Sequence, residues 1–173
     1  MGIFVVLLIV IGIVFLIWYF MKKAEKISKE RRESGIDKKN IEAFINEYGQ
    51  EYYGYNYITG WNTYVEKKGR QVTTWKHLYI ILFDTKKDFF DMINIRYTNG
   101  NIKMLERQRV FLKEEKIKTE INKDIASITI GNPKEKRRFI IEKIASGCGK
   151  NDDSNPFALD HEREFNDFLN FIS

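Results

Sequence analysis

The stretch Ile3 to Met21, IFVVLLIVIGIVFLIWYFM, runs for nineteen residues without a charged or strongly polar side chain, and it constrains this chain more than any other feature. As a helix rising about 1.5 Å per residue it extends roughly 28 Å, close to the hydrocarbon thickness of a bilayer. A transmembrane helix is therefore expected over residues 1–21. A cleavable secretory signal would open on a basic segment and close on small residues. Here no Lys or Arg precedes the run, and it ends in Trp18, Tyr19, Phe20 and Met21. A prepilin-type leader would need a short basic leader and an early acidic residue, and a helix buried in a small core would keep a polar face. None of these is present.

The flanks set the expected orientation. Lys22, Lys23, Lys26, Lys29, Arg31, Arg32, Lys38 and Lys39 follow the run, against Glu25, Glu30, Glu33 and Asp37. Basic residues favour the cytoplasmic side, so the N-terminus is expected outside and the remainder inside, with Trp18 and Tyr19 at the inner headgroup level. Lys22, Lys23, Lys26, Lys29, Arg31 and Arg32 are the candidate lipid-headgroup residues of a basic juxtamembrane segment, 22–39.

The formal net charge of +5 does not point to nucleic acid. Residues 22–39 hold eight basic and four acidic side chains, whereas 40–173 hold 21 and 20, a balance of only +1. The distal segment lacks the charge excess of a phosphate-binding surface. The local cluster Lys134, Lys136, Arg137 and Arg138 reads as a solvated turn. A single cysteine, Cys148, excludes an internal disulfide and fits a reducing compartment.

Residues 40–173 suffice for one compact domain. The apolar helix is expected to continue as a charged helix through Glu33, to break at Ser34 and Gly35, and to restart with Asp37 as cap. In that second helix Ile41, Phe44, Ile45 and Tyr48 make an apolar stripe at i, i+3, i+4 and i+7. An aromatic patch follows. Tyr53, Tyr55 and Tyr57 alternate as on one strand face, Thr59-Gly60 reads as a turn, and Trp61 opens the next strand. These four aromatic residues are the candidate binding surface, able to stack on a partner or lie at the membrane interface, although filling the core and edges of a sheet explains them better, because strands favour aromatic residues.

Val72 to Phe83 is the strongest strand. Trp75, His77, Tyr79, Ile81 and Phe83 share one face and Leu78, Ile80 and Leu82 the other, so its second half is apolar on both sides and belongs at the centre of a sheet. Thr85 to Asp88 resembles a short helix start, and Met92 to Tyr97 leads into the hairpin signal Asn99-Gly100. Met104 to Lys116 fits helix and strand equally. Strands are expected at Ile117 to Asn122, Ile125 to Ile130 and, past an Asn132-Pro133 turn, Arg138 to Ile144. After a polar loop, Phe165, Phe168, Leu169 and Ile172 mark a closing amphipathic helix, begun at Asn155-Pro156 or at Asp160. The expected fold class is α+β: one transmembrane helix, then a mostly antiparallel sheet with a C-terminal helix packed on it. Either a barrel plugged by its last helix or a sheet wrapped on its first would satisfy this order.

No motif supplies chemistry. His77, His161 and Cys148 make no zinc pattern, and Cys148 would need a histidine folded beside it to act as a nucleophile. Gly149-Lys150 looks like the tail of a phosphate loop, but Ile144 replaces the first glycine and Asn151 the magnesium-binding hydroxyl. Asn151, Asp153, Asn155 and Glu162 fall in a calcium-loop register that Pro156 breaks where glycine is required. No catalytic residue, metal or cofactor is expected. The expected function is a non-catalytic binding module held at the cytoplasmic membrane face, with the bilayer and a protein as partners and no nucleic acid. The alternatives are a membrane-proximal enzyme or transport accessory and an anchored immunity-type protein.

Overall fold

A computed structural model describes residues 2–48, 50–98, 100–131, 136–147 and 155–173. The first helix, α1 (Gly2–Ser34), carries the apolar run straight into the charged segment. Every side chain from Phe4 to Ile27 is exposed, and among the described residues this is the one helix long and apolar enough to cross a membrane. Beyond Met21 the helix carries exposed pairs, Lys22 with Glu25, Lys26 with Glu30 and Lys29 with Glu33. Each such pair is screened by solvent and contributes little.

Gly35 ends α1. Its φ of 64° is left-handed, a conformation glycine adopts without the steric penalty of a Cβ. The chain turns there into α2 (Ile36–Glu47). Ile41 and Phe44 of the expected stripe are buried, Ile45 is half-buried, and Tyr48 lies at the exposed end. Asp37 does not cap this helix. It lies in the first turn, fully buried, with other partners described below.

After a 3₁₀ turn (Gln50–Tyr52), nine strands follow among the described residues: β1 (Asn56–Lys68), β2 (Gln71–Phe83), β3 (Phe89–Thr98), β4 (Asn101–Phe111), β5 (Ile117–Asn122), β6 (Ile125–Ile130), β7 (Arg137–Glu142), β8 (Ile144–Ser146) and β9 (Ala158–Asp160). The helix α3 (Glu162–Ile172) closes the chain. Seven strands form one antiparallel sheet in the order β4-β3-β2-β1-β7-β6-β5, and β8 pairs with β9 apart from it. The sheet thus joins a four-strand meander and a three-strand meander through β1 and β7.

Both faces of the sheet are covered, as the two-sided pattern of β2 requires. Ile81 and Phe83 of β2 join Ile58, Phe90, Phe139 and others on an inner face that Phe165, Phe168, Leu169 and Ile172 of α3 seal. Leu78, Ile80 and Leu82 form the outer face with Ile93 and Ile95, beneath Ile41 and Phe44 of α2, Tyr52, and Ala145, Phe157 and Leu159 of the small ribbon. The α+β class holds.

Two local expectations change and two open choices are decided. Thr59-Gly60 is not a turn, because β1 runs through it without interruption. Gly60 stands where β7 crosses: a Cβ there would meet the Ile140 carbonyl oxygen at 3.2 Å, so close strand approach explains the glycine. Thr85 to Asp88 is a turn in which the Asp84 carboxylate accepts the Lys86 N–H at 3.0 Å. Met104 lies in strand β4, which pairs along β3 to Phe111 before a turn. Asn155 builds no helix start: its side-chain oxygen accepts the Phe157 N–H at 3.1 Å, and the helix waits for Asp160, which accepts the Glu162 N–H at 3.0 Å. The pairing of Thr98 with Asn101 closes the expected hairpin, although Asn99 itself lies outside the described residues.

Candidate functional site

The C-terminal end of α1 is fastened to the domain. Ser28 Oγ donates to the Ser146 carbonyl, and Arg31 Nη1 donates to the Gly147 carbonyl at 3.1 Å. The other guanidinium nitrogen reaches Asp37 Oδ1 at 2.8 Å and the Tyr97 hydroxyl at 3.2 Å. Tyr97 also donates to Asp37, and the Ala158 N–H donates to the second carboxylate oxygen at 2.8 Å. One buried carboxylate therefore ties together α1, α2, the end of β3 and β9. A buried charge persists only when paired and hydrogen-bonded, and Asp37 is both.

This places the basic candidates in two groups. Lys22, Lys23, Lys26 and Lys29 are exposed around the helix, where a headgroup layer would meet them. Arg31 is engaged within the domain, and Arg32 donates to Ser28 at 2.8 Å.

The aromatic candidates separate too. Tyr53 is 94 % exposed in the turn before β1, so it shares no strand face with the others. Tyr55 packs edge-on against Tyr52, and Tyr57 edge-on against His161. Trp61 rests on the outer-face core; its buried indole N–H has no hydrogen-bond partner of ordinary length. Burial pushes the nearby Glu142 carboxyl up, an effect that Lys76 and the Trp61 N–H oppose.

Tyr55 and Tyr57 do share a groove. It has a volume of about 330 Å³ and lies at the elbow between α1 and α2, walled by Arg32, Lys38 and Glu42 on the helices and by His161 and Glu164 at the start of α3. His161 forms its floor. It is 3 % exposed, and its Nε2 lies 3.0 Å from Thr59 Oγ1, which also receives the Asn155 amide at 2.9 Å. Burial pushes the His161 pKa down to about 4, with Asp160 opposing and Lys38 assisting, so the ring is neutral near pH 7. Tyr57 is raised above the usual phenol range, by burial first and then by Glu42 and Glu164. Both groups are therefore neutral near pH 7 and offer hydrogen-bonding surfaces.

A second buried cluster lies on the far part of the outer face. Asp91 is inaccessible and accepts from Arg109 Nε and Nη2, both at 2.9 Å, from Arg107 at 3.1 Å and from Tyr52 at 3.2 Å. Glu51 caps the two guanidinium groups from outside, at 2.7 and 3.1 Å. These bonds hold the 3₁₀ turn on β3 and β4. No signal in the sequence linked Asp91 to Arg107 and Arg109, because the β3–β4 register that aligns them was not readable.

Among the described residues the two histidines do not converge. His77 bonds to Asn94 at 3.3 Å and stacks on Tyr79, which packs on the inner-face core, whereas His161 sits against the outer face. Cys148, Gly149-Lys150, Asn151 and Asp153 lie outside the described residues, as do Asn132-Pro133 and Lys134. Two members of the calcium register are engaged elsewhere, Asn155 with Thr59 and Glu162 with Lys143 at 2.7 Å. Among the described residues no three His, Cys, Asp or Glu side chains are grouped to hold a metal ion. Compared with known proteins, the chain matches no family model, no curated protein and no solved structure.

Proposed function

We propose that this protein is a single-pass membrane protein whose domain works at the cytoplasmic face as a non-catalytic interaction module. The supporting observation is the division of α1: side chains Phe4 to Ile27 are exposed around the whole helix, while Ser28 and Arg31 are bonded into the domain. An exposed apolar cylinder of that length is costly in water and stable in lipid. The flanking lysines favour a domain on the inside. The groove at the elbow, with Tyr55 and Tyr57 exposed to it, is the docking place for a protein partner, because it combines apolar rings with both signs of charge at its rim.

Three measurements test this reading. Alkaline carbonate should leave the chain in the membrane pellet, and mass spectrometry should find it retaining its first residues. An impermeant maleimide should label Cys148 only after the cells are opened. Extraction by carbonate, a product trimmed near residue 21, or labelling in intact cells would each overturn the corresponding part.

A further inference from the structure

The longest hairpin leaves the sheet. Strands β1 and β2 pair from Asn56 with Phe83 out to Lys68 with Gln71, but β3 accompanies β2 only as far as Leu78, and β7 touches β1 only at Gly60 and Trp61. Residues 62–77 therefore form a two-stranded arm with no third strand among the described residues. Such a ribbon is marginally stable in water by itself. Its strands nevertheless present large apolar side chains to solvent: Tyr64 and Trp75, direct cross-strand partners, are 61 % and 55 % exposed, and Val72 is 60 % exposed.

Charge and position favour one occupant. The arm holds Lys67, Lys68, Arg70 and Lys76 against Glu66, a balance of +3, so the rest of 40–173 carries −2. The basicity of the domain is thus concentrated on a projection that also carries Trp and Tyr, the residues favoured at a membrane–water interface. The arm departs from the same end of the sheet as Tyr97, one of the residues to which α1 is tied. The β2–β3 ladder stops at Ile95, two residues before Tyr97, and Tyr97 bonds Arg31. From Arg31 back to Met21 is ten residues of helix, about 15 Å. From Lys76 to Arg70 the arm extends six residues, about 20 Å. The arm is thus of the same order of length as the stretch of α1 between the domain and the end of the apolar run.

We propose that the β1–β2 arm is a second membrane contact, laying Tyr64 and Trp75 at the headgroup level of an anionic bilayer with Arg70 and Lys68 on the lipid phosphates. This rests on α1 spanning the membrane, and the test separates the two. The full chain is placed in nanodiscs of zwitterionic lipid, or of the same lipid with about one-third phosphatidylserine, and in detergent. Trp75 emission is obtained as the difference between chains with and without Trp75→Phe. Acrylamide quenching of Trp75 should fall at least twofold in the anionic bilayer alone. Lys68→Glu with Arg70→Glu should restore it.

Equal quenching in both bilayers overturns the proposal, as does shielding that appears in detergent and grows with protein concentration, which would assign the arm to a second copy. Brominated acyl chains report separately on α1 through Trp18. Quenched Trp18 with open Trp75 refutes the arm alone, whereas unquenched Trp18 refutes the span beneath it.

Discussion

Asp91 and Glu51 share the same two arginines, yet their removal should have very different effects. Asp91 is sealed off from solvent, so Asp91→Ala leaves two guanidinium groups and the Tyr52 hydroxyl without their common acceptor, a loss of about 3–5 kcal/mol. The Glu51 side chain is half exposed, and Glu51→Ala should cost less than about 1 kcal/mol. Urea midpoints of the two variants decide this, and equal shifts would contradict the burial argument. His161 yields a pH prediction. Its folded pKa of about 4 lies below the unfolded value of 6.5, so between those limits the unfolded chain binds the extra proton. Stability should therefore be full above pH 6.5 and fall as pH drops to 4, by about 3 kcal/mol from this residue. Subtracting the profile of His161→Gln, which keeps a side-chain acceptor, removes the contributions of other groups. Parallel profiles would show that the ring is not held neutral.

At the scale of elements, apolar periodicity was legible wherever an element buries one clean face. The α3 stripe of Phe165, Phe168, Leu169 and Ile172 and the two-sided half of β2 could be read because burial alone dictates their patterns. Gly60 and Asp37 could not, since each is explained by a residue far along the chain: Gly60 by the Ile140 carbonyl, Asp37 by Tyr97 and Ala158. The groove was half visible, as Tyr55 and Tyr57 without the histidine that floors it, because His161 arrives from the other end of the sequence. Asp37 also determines whether α1 behaves as part of the domain. Asp37→Ala should destabilise the domain by about 3 kcal/mol, since Arg31 and the Ala158 N–H both lose an acceptor. It should also free α1, giving faster tryptic cutting after Arg32 and Lys38. A destabilised variant whose elbow is cut no faster would mean that Ser28 and the Gly147 carbonyl suffice to hold the helix.

For the whole molecule, the continuity of α1 from Gly2 to Ser34, with its end bonded to Ser146 of β8 and to Gly147, makes the distance between the domain and the apolar run a fixed quantity rather than the average over a flexible linker. Helix geometry offers a way to vary that distance alone. Seven alanines inserted after Lys23 add nearly two whole turns, so the domain keeps its facing while moving about 10 Å further from the apolar run. Because the bonds from Ser28, Arg31 and Asp37 are untouched, the urea midpoint should not change. On the proposed contact the arm should be lifted off the headgroups, and Trp75 in anionic nanodiscs should become as open to acrylamide as it is in detergent. Shielding that survives the insertion would mean that α1 does not set the height of the arm, and a lowered midpoint would mean that the helix beyond Lys23 contributes to the fold through contacts other than those at its end.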